Sequence, residues 1–137
     1  MISRWHGEPA WLRATVLVFV GLLAYGTVVH MAQLLASDGH PYPNVPGWLG
    51  AYFIALTLLD PLAAVLLARR HRSGVALTVA VLVTDAVANA LANYAYDATP
   101  GVTVGRIGQA VIICLAFAAL ATAPAMWRAA AGSKAVS

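Results

Sequence analysis

The chain has little charge. Aspartate, glutamate, lysine and arginine make up 9% of its 137 residues against 61% hydrophobic, and the mean hydropathy is +0.79. Too few polar side chains remain to cover a soluble globule of this length, so the composition is that of a membrane protein. Its single cysteine, Cys114, excludes an intramolecular disulfide and leaves thiols silent about compartment. The four histidines, His6, His30, His40 and His71, have no metal-ligating partner at i+3 or i+4, which indicates neither a zinc site nor a bis-histidine haem. No G-x-S-x-G, Walker A, C-x-x-C or H-E-x-x-H occurs, and no apolar run carries the row of basic residues a voltage sensor needs. A soluble-cofactor enzyme is therefore not expected, and neither a cofactor nor a metal is implied.

Four apolar stretches are long enough to cross a hydrocarbon core of about 30 Å at about 1.5 Å per residue. They run from Ala14 to Leu35, Trp48 to Ala68, Val75 to Tyr96 and Ile107 to Trp127, as one all-α four-helix membrane domain with short connections. The first resembles a signal peptide behind Arg4 and Arg13, but it exceeds the usual apolar length and lacks a clear A-x-A end, so it reads as a retained helix. Arg4, Arg13, Arg69, Arg70, Arg72, Arg128 and Lys134 fall on one side and only Arg106 on the other. The positive-inside rule then places both termini in the cytoplasm. The net charge of +3 is thus a topology signal and points to no nucleic-acid partner. Trp5, Trp11 and Trp127 are expected to belt the inner interface, with Tyr42, Trp48, Tyr52, Tyr94 and Tyr96 toward the outer one.

Two carboxylates interrupt the apolar runs, Asp60 and Asp85, each near the middle of its span. A charge there carries a penalty of about 2.5 to 3.5 kcal/mol on insertion scales, so it persists where it pairs, protonates or lines a wet cavity. The tight Arg69 to Gly74 turn makes spans two and three antiparallel neighbours, which brings the two aspartates level within about one helical turn. Asp85, Asn89 and Asn93 form a stripe at i, i+4 and i+8 running to the outer interface. Pro61 removes the donor to the Thr57 carbonyl and is expected to kink the helix beside Asp60. Thr27, His30 and Gln33 lie near the outer end of span one, and Gln109 near that of span four. The inner halves are Val, Leu, Ala and Phe, so the pattern predicts a polar pocket closed at its inner end. The outer connection from Ser37 to Gly47, with three prolines, reads as a stiff rim.

Each polar group also has a packing role available. Asn89, Asn93 and Gln109 suit interhelical hydrogen bonding, and His30 suits a satisfied packing histidine better than a metal ligand. Ala76 with Ala80, and Ala88 with Ala92, suit close packing within the bundle or against a second copy in a homodimer. The carboxyls are different, because amides would join helices at a smaller desolvation penalty.

One resemblance covers about the last three spans. Pro46-Gly47-Trp48 opens a span that runs into Leu59-Asp60-Pro61-Leu62-Ala63-Ala64-Val65-Leu66-Leu67. It is followed by the outer segment Tyr94-Ala95-Tyr96-Asp97 and by Arg106 opening the fourth span. This arrangement resembles the EXPERA-type four-helix membrane proteins, the group of the sigma-two receptor and the emopamil-binding sterol isomerase. The resemblance implies a membrane-embedded cavity for sterols and cationic amphiphiles, with Asp60 and Asp85 in the role of its buried carboxylates. Span one has no carboxylate, position 56 is Leu56 and no glutamate lies within a span, so the likeness implies binding rather than isomerisation. The preference for arginine over lysine and the abundant Ala and Val also resemble small four-span proteins of GC-rich bacteria, implying a bacterial plasma membrane.

The expectation from sequence is an outward-facing cavity binding a small amphiphilic or cationic ligand. Asp60 and Asp85 provide charge, Asn89, Asn93, His30, Thr57 and Gln109 provide orientation, and Tyr52 and Tyr94 line the entrance. A proton-coupled transporter or ion-conducting oligomer, and a non-catalytic subunit pairing with another protein, are the other two readings.

Overall fold

The computed structural model describes residues 2–37 and 41–132, so Asp38 to His40 of the outer connection and Lys134 lie outside the described residues. A short 3₁₀ turn, Ile2–Trp5, precedes four helices: α1 Ala10–Ala36, α2 Gly47–Ala68, α3 Arg72–Leu91 and α4 Val104–Gly132. The last turn of α3 widens into a π-helical turn at Ala92–Tyr96. All four helices are long and apolar enough to cross a membrane. They reach beyond the apolar stretches because backbone hydrogen bonding continues through the polar flanks.

Prolines set two of the starts. Pro9 and Pro46 have no N–H to lose there, and their extended backbones turn the carbonyls into the first helical turn. The Pro9 carbonyl accepts from Leu12 and Arg13 at 3.0 and 3.1 Å, and that of Pro46 from Leu49 and Gly50 at 2.9 and 3.0 Å. Pro61 and Pro124 stand inside helices that continue past them.

Each helix packs on its neighbour in sequence, α1 on α2, α2 on α3 and α3 on α4, whereas α1 and α4 meet only sparingly. The apolar core falls into two clusters. One, at the end holding both termini, draws on every helix, with Leu12, Val16 and Phe19 of α1, Leu67 of α2, Val75 of α3 and Ala119 and Met126 of α4. The other is built from Leu23, Leu49, Phe53, Leu56, Ala63, Val81 and Ala88, all on α1, α2 and α3. The bundle is therefore closed at its terminal end and open along the α1–α4 seam toward the other.

The terminal end is tied by one arginine. Arg70 has φ +63°, a left-handed position where glycine is usual, while its N–H donates to the Leu67 carbonyl and that of His71 to Leu66. The Arg70 guanidinium donates to the carbonyls of Ala129 at 2.9 Å and Arg4 at 2.7 Å, pairs with Glu8 and lies 5.3 Å from the Trp5 ring centre. Trp5 is fully buried and its indole donates to the Leu67 carbonyl at 3.1 Å. The expectation that Trp5 belts the interface is thus corrected: it plugs the bundle, because the turn after it folds the N-terminus under α2. Trp11 and Trp127 are exposed. Gly74 completes this end, since a Cβ there would collide with the backbone of Leu66 and Leu67.

Candidate functional site

Between the helices of the open half lies a cavity of about 350 Å³. Leu22, Leu23, Gly26, His30 and Gln33 line it from α1, Asp60 from α2, Val81, Leu82, Asp85 and Asn89 from α3, and Gly108, Val111, Ile112 and Leu115 from α4. Both mid-span aspartates therefore border one space. Asp60 is 5% exposed, and among the described residues nothing donates a hydrogen bond to its carboxyl. A carboxyl oxygen of Asp60 rests against Gly26, where a Cβ would stand 2.5 Å from it. Any larger residue at position 26 would displace the group. Asp85 differs, because the Asn89 amide donates to its carboxyl at 2.7 Å and to its backbone carbonyl at 3.1 Å. This is an i, i+4 contact within α3.

At the loop end of the cavity, half-buried Tyr42 reaches from the connection to two of the lining residues, His30 and Gln33, and so departs from the expected interfacial belt. Its ring packs 4.9 Å from that of Phe53, which also stacks on His30 at 6.3 Å. The Tyr42 hydroxyl donates to Gln33 Oε1 at 2.7 Å and lies 3.1 Å from His30 Nδ1. With its one proton given to Gln33, the hydroxyl accepts from His30, so Nδ1 of His30 carries hydrogen. Burial, and to a lesser degree the charge of Asp85, pushes the Tyr42 phenol up to about 12. It stays a donor throughout the physiological range.

The other sequence candidates lie elsewhere. Tyr52 donates to the Thr84 hydroxyl at 2.8 Å, which itself donates to the Ala80 carbonyl, so Tyr52 clips α2 to α3. Thr57 is off the cavity wall, with its hydroxyl buried and unpartnered among the described residues. Asn93 donates to the Asn89 carbonyl at 2.8 Å and its amide oxygen sits against Gly105. Gln109 is 1% exposed and donates to the Ala86 carbonyl at 2.8 Å, which fastens α4 to α3. Tyr94 is 63% exposed and lies under the Arg106 guanidinium, 5.3 Å from its ring centre. The expected entrance at Tyr52 and Tyr94 is replaced by the α1–α4 seam, where Tyr25 and Val111 flank the cavity and are exposed. The physical reason is spacing: at about 100° per residue Tyr94 falls on the side of the helix opposite Asp85, and the Asn93 amide is bound back to the Asn89 carbonyl.

Arg106 serves this end as Arg70 serves the other, though more loosely. It donates to the carbonyls of Asn93, Asp97 and Gly101, filling acceptors left at the end of α3. Asp97 accepts from the Thr99 N–H at 2.9 Å, and hydrogen bonding from Thr99, side chain first and then backbone, with a smaller part from Arg106, holds its carboxyl below the usual carboxylate range.

A larger groove of about 650 Å³ runs along the outside of α3 and α4 between Val83 and Leu120. Among the described residues Gln109 is the sole amide on its wall and no carboxylate borders it, so the smaller cavity is where charge can act. Sequence reasoning left Gly26 and Tyr42 out of the site. A glycine within an apolar span, facing an aspartate on the neighbouring helix, was the available signal for Gly26. No family model, curated protein or solved structure matches the chain.

Proposed function

We propose that the protein is a membrane-embedded binding protein for a small amphiphilic cation, an amine or quaternary ammonium with an apolar body. The observation that carries this reading is Asp60, a mid-span carboxyl without a hydrogen-bond donor among the described residues, beside Asp85 in a cavity otherwise walled mainly by Leu, Val and Ile. A buried carboxylate is stabilised chiefly by a counter-charge, and among the described residues no lysine or arginine lines that wall. A ligand ammonium supplies it, while its apolar body replaces lipid along the α1–α4 seam. Two close carboxylates also repel when both are ionised, which further favours a cation between them.

Both termini face the cytoplasm in this reading, on the arginine asymmetry, and the host membrane is a bacterial plasma membrane. The EXPERA-type resemblance points to the same ligand class. A proton-coupled path through a monomer is less well supported, because the terminal half is filled by apolar side chains around the buried Trp5.

The test is a thermal-shift screen of purified full-length protein against tertiary amines, quaternary ammonium compounds, sterol-like lipids, quinones and neutral isosteres of the amines. Stabilisation by amines but not by their isosteres, lost in Asp60→Asn and reduced in Asp85→Asn, is the expected result. Equal shifts for amine and isostere, or wild-type response in both variants, would refute the assignment.

A further inference from the structure

On the outer face of the α3–α4 seam, at the terminal end, Val75, Ala76, Val79, Ala123, Pro124, Trp127 and Arg128 enclose a groove of about 460 Å³. Along the same two helices the next residues toward the loop end, Val83 and Leu120, begin the larger groove already described. From Val75 to Val87 this apolar channel extends about 18 Å at about 1.5 Å per residue, the reach of an extended acyl chain. Its terminal mouth is cationic. Arg128 lines it, the Arg72 guanidinium lies 5.3 Å from the ring centre of Trp127, and all three side chains are exposed. Glu8, the acid at this end, is engaged by Arg70.

From this arrangement we infer that the α3–α4 seam seats an anionic phospholipid, its phosphate between Arg72 and Arg128 and one acyl chain along Val75, Val79 and Ala123. Charge complementarity selects this occupant over a second copy of the chain. Two copies inserted with the same orientation and packed seam to seam would set the arginine pairs at the same depth, facing like charge with like. An anionic headgroup neutralises the pair instead, and the interfacial tryptophan suits the headgroup level. The inference is independent of the cation site, which lies on the other side of the bundle wall.

The experiment is native mass spectrometry of the full-length protein in detergent, titrated with dioleoylphosphatidylglycerol or dioleoylphosphatidylcholine. One phosphatidylglycerol should be retained in clear preference to phosphatidylcholine. Arg72→Gln or Arg128→Gln should each weaken its retention about fivefold and the double variant about thirtyfold, with phosphatidylcholine unaffected. Ala76→Leu, which fills the groove without altering charge, should also weaken it, whereas Arg13→Gln on α1 should not. Both arginines are exposed, so the variants keep their fold, which their unfolding temperatures will verify. Equal retention of the two lipids, loss in Arg13→Gln equal to that in the double variant, insensitivity to Ala76→Leu, or a dimer that cross-links across the seam would each overturn the proposal.

Discussion

The two ends of the bundle solve the problem of polar groups in a membrane protein differently. At the terminal end the polar atoms are spent on one another: Arg70 is shared among Glu8, Arg4, Ala129 and Trp5, and the apolar core beneath draws on all four helices. Toward the loop end α4 leaves the core, and the space it vacates is bordered by Asp60, Asp85, Asn89, His30 and Gln33. Of that set, Asp60 has no hydrogen-bond donor among the described residues. The closed end teaches what a satisfied arrangement looks like in this chain, and by contrast it makes the open end the natural place for the proposed ligand.

The sharpest test of the contrast compares two glycines. Gly74→Ala drives a Cβ into the backbone of α2, which cannot yield, and should lower stability by about 3 kcal/mol or more in detergent unfolding. Gly26→Ala meets only the end of the Asp60 side chain, which can turn away, so its loss should stay below about 1 kcal/mol while amine binding weakens about tenfold. Equal destabilisation by both would erase the distinction between a structural end and a functional one.

Arg70 comes next. Arg70→Ala removes the charged contacts of the terminal end and should lose about 2 kcal/mol, the pair with Glu8 being partly buried. Arg70→Gly loses the same contacts but occupies the left-handed position freely, so it should be less destabilised than the alanine variant by about 1 kcal/mol. Guanidine-free variants of identical stability would show that backbone strain at φ +63° is not part of this end's design.

A smaller effect is expected at Tyr42. Tyr42→Phe removes the bonds to Gln33 and His30 and should lose about 1 kcal/mol. The phenol is raised in the folded protein, from an ordinary 10.0 to about 12. Its contribution is therefore complete below pH 10 and lost as pH rises from 10 through 12. Unfolding temperatures of wild type and Tyr42→Phe should converge across that alkaline window. Parallel curves would show that the Tyr42 hydroxyl does not hold His30 and Gln33.

Asp60→Asn should have the least effect on the fold, a change within about 1 kcal/mol and of either neutral or stabilising sign, because it removes a buried carboxyl with no donor among the described residues. Destabilisation beyond about 2 kcal/mol, measured by the same unfolding assay, would mean that Asp60 holds the bundle together and that the two ends are alike.

Much of the architecture is legible in the chain. Run length and hydropathy fix four helices long and apolar enough to cross a membrane, and the short connection between Ala68 and Arg72, within the expected Arg69 to Gly74 turn, makes α2 and α3 neighbours. The i, i+4 spacing of Asp85 and Asn89 likewise foretells their contact, because it is local.

What the sequence by itself determined is therefore what depends on composition and on spacing along one helix: the number of spans, their alternation and the local polar pairs. Tertiary structure decided the rest. It sent Trp5 inward, bound the Asn93 amide back to the Asn89 carbonyl, assigned Gln109 to fastening α4, and brought Gly26 against Asp60. Those outcomes depend on how far each helix is turned about its own axis and where α4 parts from α1. In spans that are apolar nearly all round, no amphipathic stripe records that angle, so it is set only when the side chains of neighbouring helices meet.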